Sequence, residues 1–162
     1  MAPSLRVGIL TVSDSGSRGD REDTAGPAIA EVLAPLRPEI VEKAIIPDDP
    51  DGIAETLRRW ATAGRVNLIL TTGGTGLGPR DNTPEATRQV IEREVPGMAE
   101  VMRQAGLQHT PMAALSRGLV GAVGSTLIVN LPGSERGARE NLDAILPVLE
   151  HAIALIAGDT EH

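Results

Sequence analysis

LILTTGGTGLGPRDNTPEAT, the stretch from Leu68 to Thr87, decides how the rest of the chain is read. It opens with an apolar run, Leu68-Ile69-Leu70, of the kind that forms a buried strand and here ends in two threonines. Gly73, Gly74, Gly76 and Gly78 follow. Glycine tolerates positive φ and lacks a Cβ, so backbone and ligand can approach closely. Pro79-Arg80-Asp81 adds a cation and a carboxylate. Thr83-Pro84-Glu85 then supplies a helix N-cap, a proline at the first helical position and an acid in the first turn. Strand, glycine loop, charged turn and helix start suit an anion, because loop amides and a helix N-terminus both carry partial positive charge. GGTG alone also fits a tight strand-to-helix turn. It is not a Walker loop, since no Gly-Lys-Ser/Thr follows, and it is not GxGxxG.

Working outward, strands alternate with helices. Leu5 to Val12 reads as a first strand, and the polar residues 14 to 23 as a loop. Thr24 can cap a helix carrying Ile29, Val32, Leu33 and Leu36 on one face. Glu39 to Ile46 reads as a second strand. Asp49 then Pro50 fits a cap and first helical position for a helix with Ile53, Leu57, Trp60 and Ala61. After the glycine loop, a helix from Pro84 carries Val90 and Ile91 and is broken by Pro96-Gly97. The next holds Met98, Val101, Met102 and Ala105, with Gly106 as its stop. Residues 107 to 117 read as irregular. Leu119 to Val123, Gly124-Ser125 and Thr126 to Leu131 form a hairpin with a type II′ turn. Ser134 can cap a last helix with Leu142, Ile145, Leu149 and Ile153 inward. The expectation is one domain over residues 1–162, an α/β three-layer fold with a mostly parallel sheet flanked by helices and a small antiparallel hairpin.

In parallel sheets, ligands bind outside the carboxyl ends of the strands. Small polar and glycine residues sit at those ends: Ser13-Asp14, Asp48, Thr72 to Gly76, and Asn130 with Pro132-Gly133. Four segments therefore converge on one edge. Asp48 and Asp81 are candidate ligands for Mg²⁺, which takes oxygen ligands and keeps several waters. Either acid can instead serve a turn by binding nearby backbone N–H groups. For Asp48 that role is already filled by Asp49. Arg80 and Arg117 are candidate phosphate cations, and each reads equally well as a solvated surface arginine. His109, His151 and His162 show no ligand spacing, and the pair Met98 and Met102 reads as core.

Composition narrows the classes. The 162 residues include no Phe, no Tyr and one Trp, which argues against base-stacking nucleic-acid modules. A formal net charge of -7 argues against a phosphate-backbone binder. The absence of Cys excludes thiolate catalysis and zinc–sulfur sites. No apolar run approaches a membrane span, and a cytoplasmic location is expected.

Taken together, the residues resemble the MogA/MoaB family of molybdenum-cofactor biosynthesis, to which the gephyrin G domain also belongs. The resemblance rests on Thr71 to Thr87, with Thr11-Val12-Ser13-Asp14, Ile46-Pro47-Asp48, Pro96-Gly97-Met98, Leu115-Ser116-Arg117 and Asn130-Leu131-Pro132-Gly133 around it. It implies a trimer or hexamer acting on small molecules, and transfer of AMP from Mg-ATP to the terminal phosphate of molybdopterin. It further implies that Asp48 and Asp81 are the acidic pair for Mg²⁺ and catalysis. Gly73, Gly74, Thr75 and Gly76 would line the nucleotide phosphates, with Ser13 and Asp14 bordering the same site. Ser116, Arg117, Pro132 and Gly133 would lie near the pterin or nucleotide. Asn82 and Ser134 depart from the residues commonly found in the family at those places. The short tail after the last helix resembles the MoaB branch, and the alternative reading is a non-catalytic pterin-binding or scaffold protein.

Overall fold

The computed structural model describes residues 3–159. Six strands form one sheet: β1 (Arg6–Val12), β2 (Glu39–Ile46), β3 (Leu68–Thr72), β4 (Arg93–Glu94), β5 (Val120–Val123) and β6 (Thr126–Leu131), in the order β2-β1-β3-β6-β5-β4. β2, β1, β3 and β6 run parallel, while β5 and β4 add antiparallel at one edge. The helices are α1 (Asp14–Ser17), α2 (Ala25–Leu33), α3 (Pro50–Thr62), α4 (Thr83–Arg88), α5 (Pro96–Leu107) and α6 (Glu135–Ile156).

The period-2 alternation of the strands divides the core into two layers. Val7, Ile9, Leu68, Leu70, Leu127 and Val129 face α2, α5 and α6, where Ile29, Leu33, Met102, Leu142 and Leu149 meet them. Leu10, Val12, Ile69 and Ile128 face the opposite way, onto Ile53, Leu57 and Trp60 of α3 and Ala86 of α4. The central strands are buried on both faces, which is why they read as unbroken apolar runs. Trp60 packs against Gly8, where a Cβ would come within 2.8 Å of the indole.

Strand order reverses direction between β1 and β3: the chain goes from β1 outward to β2, then returns past β1 to β3. Such a switch point opens a crevice at the carboxyl ends of the two strands. Asn130 stands one residue short of the end of β6 and is buried there. Its amide donates to Thr71 Oγ1 and Thr87 Oγ1, both at 3.0 Å, and its Oδ1 accepts the Leu119 N–H at 3.2 Å. Thus it ties β3, α4 and the approach to β5, and is a structural knot rather than a ligand group. Asn130→Ala is expected to cost about 2–3 kcal/mol by leaving these partners unpaired, measured by chemical denaturation.

Several local expectations are corrected. The segment 14–23 contains the short α1, because Ser13 caps it. α4 ends at Arg88, so Val90 and Ile91 lie beyond it. Ile91 instead packs on Gly121, where a Cβ would fall 2.5 Å from Ile91 Cδ1, and leads into β4, which was not foreseen. Thr83 is the first residue of α4 rather than its cap, and Asn82 precedes it with no side-chain cap. Thr24 makes no capping bond either; Asp23 accepts the Gly26 N–H at 3.0 Å in its place. Gly106 lies inside the last turn of α5, where its missing Cβ admits Ala113 at 2.7 Å from the ideal Cβ position. Ala113 belongs to a 3-10 turn, Pro111–Leu115, within the stretch read as irregular. The hairpin turn has Gly124 at φ 55° and no positive φ at Ser125, as a type II′ turn requires.

Candidate functional site

The site begins where β1 and β2 stop. Ser13 leaves β1 in an extended conformation, and its hydroxyl accepts the Gly16 N–H at 3.0 Å. Asp14 then faces Asp48. The N–H of Asp14 donates to Asp48 Oδ2, and the N–H of Asp48 donates to Asp14 Oδ1, both at 3.0 Å. Each acid therefore fixes the backbone of the other. Arg80 grips Asp14 with two bonds of 2.9 Å, from Nε and Nη2. Its charge is engaged by a carboxylate in this arrangement, not held out alone for a phosphate.

The glycine loop enters the crevice between β1 and β6. Gly73 has φ 102°, and a Cβ there would sit 2.2 Å from the Val12 carbonyl oxygen. Gly74 has φ 69°, and a Cβ would sit 2.3 Å from Thr83 Oγ1 and 3.2 Å from Asp48 Oδ1. Thr72 Oγ1 donates to the Pro132 carbonyl at 2.7 Å, stitching the loop to the turn after β6. Asp81 closes the far end of the loop. Its Oδ2 accepts the Gly78 N–H at 2.9 Å, so the turn role open to it in the sequence is present.

That role leaves the carboxylate on the cavity wall. Ser13, Asp48, Thr72, Gly73, Gly74, Asp81 and Gly133 border one cavity of about 300 Å³. A second cavity, of about 260 Å³, is bordered by Gly76, Ser116 and Pro132. Ser134 borders both and caps α6 by accepting the Gly137 N–H at 3.0 Å. Thr75 is buried and borders neither cavity. Arg117 also lies outside both linings and binds the loop from behind.

The two acids nearest each other differ in electrostatics. Partial burial raises the Asp48 pKa, and the charges of Asp14 and Asp81 push the same way against the bond from the Asp14 N–H. Asp14 is lowered, first by its bonds to Arg80 and then by the Asp48 N–H. A carboxylate with a raised folded-state pKa holds its proton more tightly in the native chain. Its contribution to stability is therefore greatest below the ordinary value of 3.8 and is lost as pH rises through the raised one. Ionised Asp48 is thus a liability to the fold at neutral pH. Asp48→Asn keeps an oxygen for the Asp14 N–H, and its thermal midpoint at pH 7 should equal or exceed the parent's, with the difference vanishing below pH about 4. A calorimetric series across pH checks this; a lower midpoint at pH 7 would contradict it.

Some of the wall carries no mark in the sequence. Arg21, Glu22 and Asp23 border the first cavity, and Thr11 Oγ1 donates to Asp23 Oδ2 at 3.0 Å. The only signal for Asp23 is its place three residues before Gly26, as a helix-start acid. Met102, Thr110 and Asn141 border the second cavity. Met102 is buried, as a core residue should be, yet one side of it meets this space. His109 Nδ1 lies 3.6 Å from Glu140, His151 is on α6, and His162 lies outside the described residues.

A family model described as "Probable molybdopterin binding domain" matches residues 8–151. The chain belongs to this family, the MogA/MoaB family of molybdenum-cofactor biosynthesis. Within the MogA/MoaB family, the crystal structure of the molybdopterin biosynthesis enzyme MoaB from Thermus thermophilus is 60% identical. It superposes with a TM-score of 0.90, covering 95% of this chain and 97% of that one. A molybdopterin adenylyltransferase of Helicobacter pylori (strain J99) is 39% identical over 96% of this chain and 90% of its own length. The molybdenum cofactor synthesis protein cinnamon of Drosophila melanogaster is 42% identical over 96% of this chain, which spans 26% of that longer protein. Among the described residues, no helix is long and apolar enough to cross a membrane.

Proposed function

We propose that this chain transfers AMP from Mg-ATP to the terminal phosphate of molybdopterin, releasing pyrophosphate. The observation that carries the reading is the meeting of Asp48 and Asp81, from separate segments, on the wall of one glycine-floored cavity at the switch point of the sheet. In the reaction, a terminal phosphate oxygen of molybdopterin attacks the α-phosphorus of ATP. A new P–O bond forms, the bond from the α-phosphorus to the bridging oxygen breaks, and pyrophosphate leaves with that electron pair. The attacking phosphate is already ionised near neutral pH, so no strong base is required. This suits a cavity bordered by no His, Cys or Lys. Catalysis then lies in positioning and charge neutralisation.

The residues fit Mg²⁺. The described residues hold no cluster of three or more His, Cys, Asp or Glu side chains that could hold a metal. A two-carboxylate site is what Mg²⁺ uses when substrate phosphates supply further oxygens. Asp48 and Asp81 would hold the ion, and it would supply positive charge against the phosphates when bound. Gly73 and Gly74, without Cβ atoms, let the triphosphate approach the backbone. Ser13 turns the chain out of β1 by capping α1, and the Asp14–Asp48 exchange of hydrogen bonds holds Asp48 at the cavity wall. The second cavity, with Met102, Met112 and Leu115 beside Ser116 and Asn141, suits a flat heterocycle with polar edges.

The closer identity to a MoaB protein, 60%, than to the adenylyltransferase quoted above, 39%, keeps a second reading in play: a MoaB-type pterin-binding or scaffold role without transfer. Pyrophosphate release from Mg-ATP, measured with and without molybdopterin, separates the two. Release that depends on molybdopterin is expected. Molybdopterin binding without any release would transfer the case to the second reading. The family resemblance further suggests a trimer or hexamer, and light scattering distinguishes them.

A further inference from the structure

Arg117 makes an unusual set of contacts for a residue expected near a ligand. Its N–H donates to the Thr75 carbonyl at 2.8 Å. Its Nε donates to the Gly76 carbonyl at 2.8 Å, and its Nη2 to the Asp81 carbonyl at 2.7 Å. Its Nη1 pairs with Glu85 on α4. Every nitrogen of the guanidinium thus has a partner in the protein, and a carboxylate offsets its charge. The two gripped carbonyls stand at the two ends of the turn from Gly76 to Asp81.

Arg117 is itself held. Arg103, on α5, donates from Nη1 to the Ser116 carbonyl at 3.3 Å and the Gly118 carbonyl at 2.8 Å, the residues on either side. The order of support therefore runs from α5 through Arg103 to the strand approach, through Arg117 to the loop, and so to Asp81. The peptide geometry gives this a consequence. No peptide in the described chain is cis, so each N–H points opposite to the preceding carbonyl. With the Thr75, Gly76 and Asp81 carbonyls turned toward Arg117, the N–H groups of Gly76, Leu77 and Asn82 are turned away from it.

We propose that Arg117 is a positioning residue, braced by Arg103, that sets the place of Asp81 and the direction of the loop amides, and that it is not a phosphate ligand. The brace deepens the adenylyl-transfer reading and rests on it for its effect on rate. A planar, forked guanidinium can span two carbonyls and a carboxylate at once, whereas a lysine ammonium is a point charge on a flexible stem. Arg117→Lys keeps the charge and removes the span, so it separates the brace from a charge contact.

Two readouts test it. In the ligand-free protein, hydrogen exchange of the Gly78 and Asp81 amides, which bond Asp81 Oδ2 and the Gly78 carbonyl, should be at least about tenfold faster in Arg117→Lys, because the loop opens locally. In turnover, kcat should fall by about 10- to 100-fold with KM for Mg-ATP within about threefold, as for a misplaced rather than missing contact. Unchanged exchange, or a loss confined to KM, would overturn the brace and restore Arg117 as a ligand contact. Should Arg117→Lys fail to fold, Arg103→Lys carries the same exchange test, with at least about threefold faster exchange at those amides expected and parental exchange overturning the proposal. The exchange readout needs no turnover. If the parent protein transfers no AMP, the functional reading falls, while the exchange result still decides the brace.

Discussion

Asp81→Asn should lose at least about a hundredfold in molybdopterin-dependent pyrophosphate release, on the scale of removing a key electrostatic group from a preorganised site. The substitution is informative because it preserves the turn. Asp81 Oδ2 accepts the Gly78 N–H at 2.9 Å, and its carboxylate packs where ideal Cβ atoms at Gly76 and Gly78 would each come to 2.9 Å. Asparagine has nearly the same volume and retains an acceptor oxygen for that N–H. What it removes is the charge. If Asp81 is only a turn acid, the variant keeps its rate. If its charge works on the substrate phosphates, the rate falls while the thermal midpoint stays within a few degrees of the parent. Steady-state assays beside thermal melts of the same preparations decide between these outcomes.

Gly73→Ala should be the most damaging small substitution in the chain. Two independent effects add at this position. The backbone stands at φ 102°, a region that L residues enter only with strain. The new methyl would also lie 2.2 Å from the Val12 carbonyl oxygen, which is main chain at the end of β1 and cannot swing aside as a side chain can. The ends of β1 and β3 would have to separate, widening the crevice. A loss of about 2–5 kcal/mol is expected from strain and overpacking together, with transfer activity abolished. Gly97→Ala is the matching control. Gly97 lies in the first turn of α5 with nothing within 4 Å of its ideal Cβ and no positive φ, so alanine there should be neutral or stabilise by up to about 1 kcal/mol. Denaturant midpoints of the two variants give the comparison directly. A Gly73→Ala protein as stable as its parent would mean that the crevice is wider than described.

How much of this was legible in the sequence differs by element. The three central parallel strands, β1, β3 and β6, were, because burial on both faces forces apolar runs; β2, at the edge and partly exposed, showed only in the apolar end of its run. The caps at Asp49 and Ser134 were as well, since each places an acceptor three residues before a glycine N–H that it binds. β4 and α1 were not: elements of two and four residues are too short for any periodicity to register. Ile91 was misread for a related reason. Its spacing from Val90 and Thr87 is compatible with a helix, and only the absence of a Cβ at Gly121 on a distant strand shows where it packs.

Within the candidate site, the convergence of Ser13, Asp48, Gly73 and Gly133 followed from topology alone, because parallel strands carry their ends to one edge. The pairing of Arg80 with Asp14 did not, as it joins residues 66 positions apart by side chains only. The support role of Arg117 was equally hidden, since a surface-type arginine next to a glycine reveals nothing about which carbonyls it will meet. The second cavity was not legible; of its lining, the resemblance named only Gly76, Ser116 and Pro132 as near a ligand. Its other wall is built from helix residues such as Met102 and Asn141, whose spacing reads as packing.

The central question is whether Asp48 and Asp81 work together on one divalent ion and one triphosphate. Crystals grown with Mn²⁺ and a non-hydrolysable ATP analogue, with manganese located by its anomalous scattering, answer it most directly. The expected map has a manganese peak in the cavity between the two carboxylates and a triphosphate lying along Gly73 to Gly76. A nucleotide seated elsewhere, with neither carboxylate near metal or phosphate, would contradict the reading.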